Sequence, residues 1–316
     1  PNQDKYVLFS MDSSNYLTAT VVTFNGTGSS STLTLGTRTI IDSNVWSTFP
    51  SNQITYDTTA QKIIVSGTKS GTNGAICIVV NLSGTTFTQG SRTTVPISST
   101  SLYASSPVIC AYSSTANKVV FLYTENSQSN STAIQYTTIG TVSGTSISFG
   151  TAQALGNPVD SGYSNMTKDT TLSVDNNGVI IVTYLSQSAT LYSQAGTLSG
   201  TTMTWGSTSQ ISNITSLVSS GNSTSRPSCS SAKVSDGKTI VVRITKSDSP
   251  SNADKGIFCV ITASGTSVTN GSVQIFFSST TKYPTVSTNY SKTQALINFG
   301  DGSFNNIIFQ ESAQTT

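Results

Sequence analysis

IQYTTIGTVSGTSISFG, the stretch from Ile134 to Gly150, decides the fold. It reads as an alternating run, a Ser-Gly-Thr turn, and a second alternating run closed by glycine. Alternation with period two marks strands, and glycine takes the positive φ that a tight turn demands, so Ser143-Gly144 joins two strands into a β-hairpin. The phrase recurs as CIVVNLSGTTFTQG (Cys77 to Gly90), SQAGTLSGTTMTWG (Ser193 to Gly206) and FCVITASGTSVTNG (Phe258 to Gly271). In all four copies the turn glycine and the closing glycine lie six residues apart. A degenerate first copy, TVVTFNGTGSSSTLTLG, ends at Gly36 with a longer loop.

The closing glycines at 36, 90, 150, 206 and 271 define a repeat of about 57 residues, the size of a propeller blade built from short strands. Each unit reads as four strands. In the third, Pro107 to Tyr112 begins the first strand, Lys118 to Tyr123 forms the second, and the hairpin supplies the third and fourth. The second strand is the most apolar: Ile63 to Val65, Val179 to Val182, Ile240 to Val242, Ala295 to Phe299. Continuous apolar runs predict burial on both faces, as for a strand covered by a blade on each side. Pro50, Pro107, Pro227 and Pro284 each stand just ahead of an expected first strand, where a missing N–H is tolerated. The fourth unit has Lys168-Asp169 in that place.

The expected fold is therefore all-β, a single β-propeller domain over 1–316 with repeat units at about 1–42, 43–97, 98–156, 157–211, 212–277 and 278–316. Lys5 to Phe9 matches a second strand, so the first unit lacks a first strand, and the sixth lacks a fourth. Six blades is the simplest ring, and a seven-blade parent cut at its N-terminus is the alternative. The chain starts at Pro1 rather than methionine, which leads us to expect a processed product or a piece excised from something longer.

Charged residues make up 9% of the 316 residues, against about a quarter in an average soluble protein. Serine, threonine, asparagine and glycine take the polar positions, as strands and turns require. The net charge of +2 is scattered, with no basic cluster, so no nucleic-acid partner is expected. No apolar run approaches the roughly 18 residues of a membrane helix, so no membrane insertion is expected. Cys77, Cys110, Cys229 and Cys259 sit inside expected strands without metal-ligand spacing, and read as buried thiols or cross-strand disulfides.

There is no histidine, which removes Ser-His-Asp and Cys-His catalysis and histidine metal sites. Carboxylates are the remaining catalysts, as in a glycosidase. Asp57, Asp175, Asp236 and Asp301 lie in turns and serve local hydrogen bonding there. Asp12, Asp42, Asp160, Asp169 and Glu125 remain as loop acids, with nothing in the sequence to pair them. The Ser-x-Asp-x-Gly-x-Thr-Trp box of propeller sialidases is absent, and Arg38, Arg92, Arg226 and Arg243 do not assemble an arginine triad, because Arg243 falls in a central strand. Asp175-Asn176-Asn177-Gly178 and Gly300-Asp301-Gly302 lack the spaced carboxylates of a calcium loop. The chain is expected to be no enzyme and to hold no metal or cofactor.

Connections from outer to inner strands, and from second to third strands, share one face of a propeller. The former carry Trp46, Phe49, Tyr103, Tyr163 and Tyr283, which can stack on sugar rings or anchor a protein, or else pack between blades. These five are the candidate ligand-binding residues.

The phrase Gly140 to Gly150 with its copies, and Tyr112 to Val120 before it, resembles the Ser-Gly-Thr hairpin repeats of virion and tail-appendage proteins of bacteriophages and algal viruses. Large bacterial and algal surface proteins carry similar repeats. The resemblance implies a β-propeller displayed outside the cell or on a virion, and carries over no catalytic residue. The function expected is a binding or display module for a host surface glycan or a structural protein partner. Its alternatives are a fibre or shell subunit, homo-oligomeric through the open edges at Lys5 and Phe309, and a carboxylate-based glycoside hydrolase.

Overall fold

The computed structural model describes residues 5–25, 32–44, 46–48, 53–71, 74–98, 102, 106–126, 132–160, 170–175, 177–185, 190–211, 229–235, 237–244, 255–278, 282–288, 294–300 and 304–310. Six antiparallel sheets follow one another along the chain as blades of a six-bladed β-propeller. Blade one holds β1 (Lys5–Met11), β2 (Leu17–Asn25), β3 (Thr32–Leu35) and β4 (Thr39–Asp42). Blade two holds β5 (Trp46–Thr48), β6 (Ile54–Asp57), β7 (Lys62–Lys69), β8 (Gly74–Ser83), β9 (Thr86–Gln89) and β10 (Thr93–Thr94). Blade three follows with β11 (Ile109–Ser113), β12 (Lys118–Asn126), β13 (Thr132–Ser143), β14 (Ser146–Phe149) and β15 (Gln153–Asp160). Blade four has β16 (Thr171–Val174), β17 (Val179–Leu185), β18 (Leu191–Ser199), β19 (Thr202–Trp205) and β20 (Ser209–Gln210). Blade five has β21 (Cys229–Ser235), β22 (Lys238–Ile244), β23 (Gly256–Ser264), β24 (Ser267–Asn270) and β25 (Gln274–Phe277), and blade six has β26 (Lys282–Thr288), β27 (Gln294–Gly300) and β28 (Phe304–Gln310).

The hairpin phrase explains the blade's outer half. Ser143 pairs with Ser146 across a two-residue turn, so Gly144-Thr145 forms the loop, one residue later than the sequence suggested. The turn glycines have φ of 60° at Gly84, Gly144 and Gly200 and 56° at Gly265, a first-position glycine that matches the twist of a hairpin. The outer strand then breaks in two. In blades one to five both pieces pair with the same third strand, as β14 and β15 do with β13, and the closing glycine stands at the break. The N–H groups of Gly36, Gly90, Gly150, Gly206 and Gly271 donate to the carbonyls of Val21, Val79, Ile139, Ala195 and Val260 at 2.8–2.9 Å.

Three of these glycines admit the next blade. A Cβ at Gly90 would lie 1.9 Å from the carbonyl oxygen of Thr145, and one at Gly206 1.8 Å from that of Thr266. A Cβ at Gly150 would lie 2.7 Å from the Cβ of Thr201. Each of these threonines belongs to the Ser-Gly-Thr turn of the following blade, which thus sits against the break in the blade before it. At Gly36 the nearest atom to an added Cβ is the Val21 oxygen, 3.2 Å away.

Hydrophobic clusters fill the five seams between consecutive blades. In blade three, Val119, Phe121 and Tyr123 face blade two while Val120 and Leu122 face blade four, so β12 is buried on both sides as its apolar run predicts. The four cysteines are free and buried. Burial, with Cys110 nearby, pushes the Cys77 thiol up, and burial raises Cys110 to about 12 and Cys259 to about 11, so these three thiols pack as small apolar groups.

Three sequence expectations are corrected. Pro284 lies inside β26 rather than ahead of it, at a register shift between Lys282 and Thr285 that spares the ladder its missing N–H. Asp160, read as a loop acid, ends β15, because the broken outer strand resumes its pairing with β13. Trp46 to Thr48 is likewise strand, pairing with the end of β7.

Candidate functional site

Among the described residues, the densest polar constellation sits at the seam between blades one and two. Asp42 ends β4, and its Oδ1 accepts the Asn44 backbone N–H at 3.0 Å and the Asn44 Nδ2 at 2.7 Å. This Asx turn swings the chain from the outer strand of one blade to the inner strand of the next. It brings Trp46 round so that the indole Nε1 donates to Asp42 Oδ2 at 2.8 Å. Arg92 arrives from blade two, just past the closing Gly90. Its Nε donates to the same Oδ2 at 2.7 Å, its terminal nitrogen pairs with that oxygen and donates to the Asn44 carbonyl at 2.9 Å. The guanidinium also lies over the Trp46 ring, 5.3 Å from its centroid. Burial raises the Asp42 carboxyl, but hydrogen bonds from Asn44, Arg92 and Trp46 outweigh it and hold the group below the usual carboxylate value.

Other carboxylates are held by local donors too. Asp12 accepts the N–H groups of Ser14 and Tyr16, and Asp57 those of Thr59 and Ala60. Asp175 accepts Val179 N–H at 2.7 Å and reaches across the seam to Gly237 N–H at 3.0 Å. Glu125, in β12, takes the Ser98 N–H and hydroxyl at 2.7 and 2.6 Å. These groups shape turns and fasten loops to blades. No cluster of three or more histidine, cysteine, aspartate or glutamate side chains suited to a metal ion occurs among the described residues.

The five candidate aromatics fare differently. Trp46 is 1% exposed, so the structure corrects its reading as a loop residue open to ligand: the ring packs on Leu17, Ile76 and their neighbours, with its N–H spent on Asp42. Phe49, Tyr103 and Tyr163 lie outside the described residues, and Tyr283 falls in β26 with its side chain outside them. Of the loop acids, Asp42 and Glu125 are buried, Asp160 belongs to β15, and Asp169 lies outside the described residues. Arg92 was not singled out from the sequence as a seam residue. A signal existed: it stands two residues past a closing glycine, and Arg38 stands at the same offset from Gly36.

No protein-family model matches the sequence, and no curated protein sequence does. Among solved structures, the fold is similar to AofleA from Arthrobotrys oligospora, at 9% identity over 98% of this chain and 80% of that one, with a TM-score of 0.57. It is similar to an Aleuria aurantia lectin variant in complex with Fucα1-6GlcNAc, at 11% identity over 98% of this chain and 89% of that one, with a TM-score of 0.51. The NanB sialidase from Streptococcus pneumoniae is 10% identical over 93% of this chain and 64% of its own, with a TM-score of 0.53. At these identities the likeness is one of fold.

Proposed function

We propose that this chain is a non-catalytic module that presents one loop face of its propeller to a glycan, displayed outside the cell or on a virion. The observation that carries the non-catalytic reading is the commitment of the carboxylates among the described side chains. Asp12, Asp42, Asp57, Glu125 and Asp175 each accept hydrogen bonds from fixed donors, and the chain has no histidine to take a proton in their place. Sugar binding needs flat apolar rings beside neutral hydrogen-bonding groups, and the sequence between outer and inner strands supplies both in serine, asparagine, Phe49, Tyr103 and Tyr163, with Tyr283 in β26 beside them in sequence. Trp46 fixes the connection between the first two blades through its bond to Asp42. The similarity to a lectin holding Fucα1-6GlcNAc makes a fucosylated glycan the first ligand to try.

A glycan array of the intact chain, with fucosylated and sialylated ligands, tests the proposal. Saturable binding is expected, weakened about tenfold by Tyr163→Ala, the worth of one aromatic stack. The similarity to NanB supplies the runner-up, a hydrolase working through two carboxylates. A silent array together with turnover of a fluorogenic sialoside would replace the binding reading with that one.

A further inference from the structure

Blade one has a second face that none of the five seams uses. In β1, Val7, Phe9 and Met11 pack toward blade two, and the alternate residues turn the other way. Register sets Tyr6 opposite Val22, which in turn pairs with Leu35, and sets Leu8 opposite Thr20 and Ile40 opposite Thr18, so these side chains share one face. Tyr6, Leu8, Leu33, Leu35 and Ile40 are 60%, 56%, 60%, 66% and 51% exposed. Together they offer roughly 500 Å² of mostly apolar surface, as large as the biggest patch on a typical monomer. The edge strand β1 has neither proline nor bulge to guard it.

The molecule's own last blade is a poor match for it. Among the described side chains, the outward face of blade six shows Thr285, Ser287 and Asn298 beside a partly exposed Leu296. The packed seams instead join apolar to apolar, as Phe9 and Met11 do with Ile76 and Ile78. We infer that the exposed face of blade one is a dimer interface, occupied by the same face of a second copy of this chain. Two such faces pressed together bury on the order of 1,000 Å², the threshold for a specific protein interface. Because each copy presents the same patch, the contact closes on itself as a two-fold pair and does not propagate.

Light scattering on the full chain over a concentration series tests this without any ligand, so its result is independent of the glycan reading. The expected mass is twice the 33.0 kDa of one chain. Leu8→Glu and Leu35→Glu should each halve it, since both place like charges across the two-fold contact, while Leu296→Glu on blade six should leave it unchanged. Circular dichroism and a thermal melt confirm that the variants fold, as substitutions at exposed positions should. A monomeric wild type overturns the inference. So does a mass that keeps climbing with concentration and collapses with Leu296→Glu, which is the signature of blade six meeting blade one head to tail.

Discussion

Strands β12 of blade three and β1 of blade one are written in nearly the same letters and have opposite surroundings. KVVFLY and KYVLFS both read as continuous apolar runs. In blade three every residue from Val119 to Tyr123 is buried, alternate side chains feeding the seams on either side. In blade one the alternation survives as half-burial on one side and exposure on the other. An apolar run thus specifies two faces that need cover, and the neighbour, not the strand, decides whether cover is present.

The sharpest test of that contrast is a pair of truncations. Phe121→Ala should cost about 3–5 kcal/mol, because it empties a filled seam. Leu8→Ala should stay within about 1 kcal/mol when measured on the monomeric protein, since little is buried there. Urea unfolding of both reads the difference, and equal losses would mean that blade one is covered after all. A smaller effect is expected at the closing glycines. Gly206→Ala must push a Cβ into the Thr266 carbonyl and should cost about 1–3 kcal/mol. Gly36→Ala meets only its own blade, at 3.2 Å, and its urea midpoint should move least.

The smallest effect is expected from pH, at the seam that ties blade one to its neighbour. The folded-state value of Asp42 is depressed, so its contribution is fully present above the unfolded value of about 3.9 and is lost as pH falls through the folded one. Wild type should therefore be more stable than Asp42→Asn at neutral pH, and the gap between their urea midpoints should shrink below about pH 4. A gap that persists in acid would assign the stabilisation to packing of Trp46 instead of to the carboxylate.

The sequence made the hairpins legible because a turn glycine needs positive φ and a closing glycine needs room, and both demands leave a fixed six-residue mark. It also made the second strands legible, since burial on two faces writes a continuous apolar run. The broken outer strands were harder to see. β10 and β20 are two residues long, and only pairing with β8 and β18 makes strands of Thr93-Thr94 and Ser209-Gln210. Trp46 misled for a related reason: a tryptophan between Asp42 and Pro50 looks like a loop aromatic until Arg92, fifty residues away from Asp42, is brought to the same carboxylate. Side-chain networks that cross a seam join residues without local pattern, and only the repeat offset of Arg92 from Gly90 hinted at this one.

The fit of a threonine turn against a closing glycine has a consequence for how such a chain can change its length. Blades three and four each carry a tongue at the hairpin and a groove at the break, and both belong to the same short phrase. A duplicated unit inserted in register would meet its neighbours through joints that already exist, as in other arrays whose stability is a sum over adjacent repeats. Blade number is then open to revision by recombination, while the cost of any revision collects at the two ends, where a tongue or a groove is left empty.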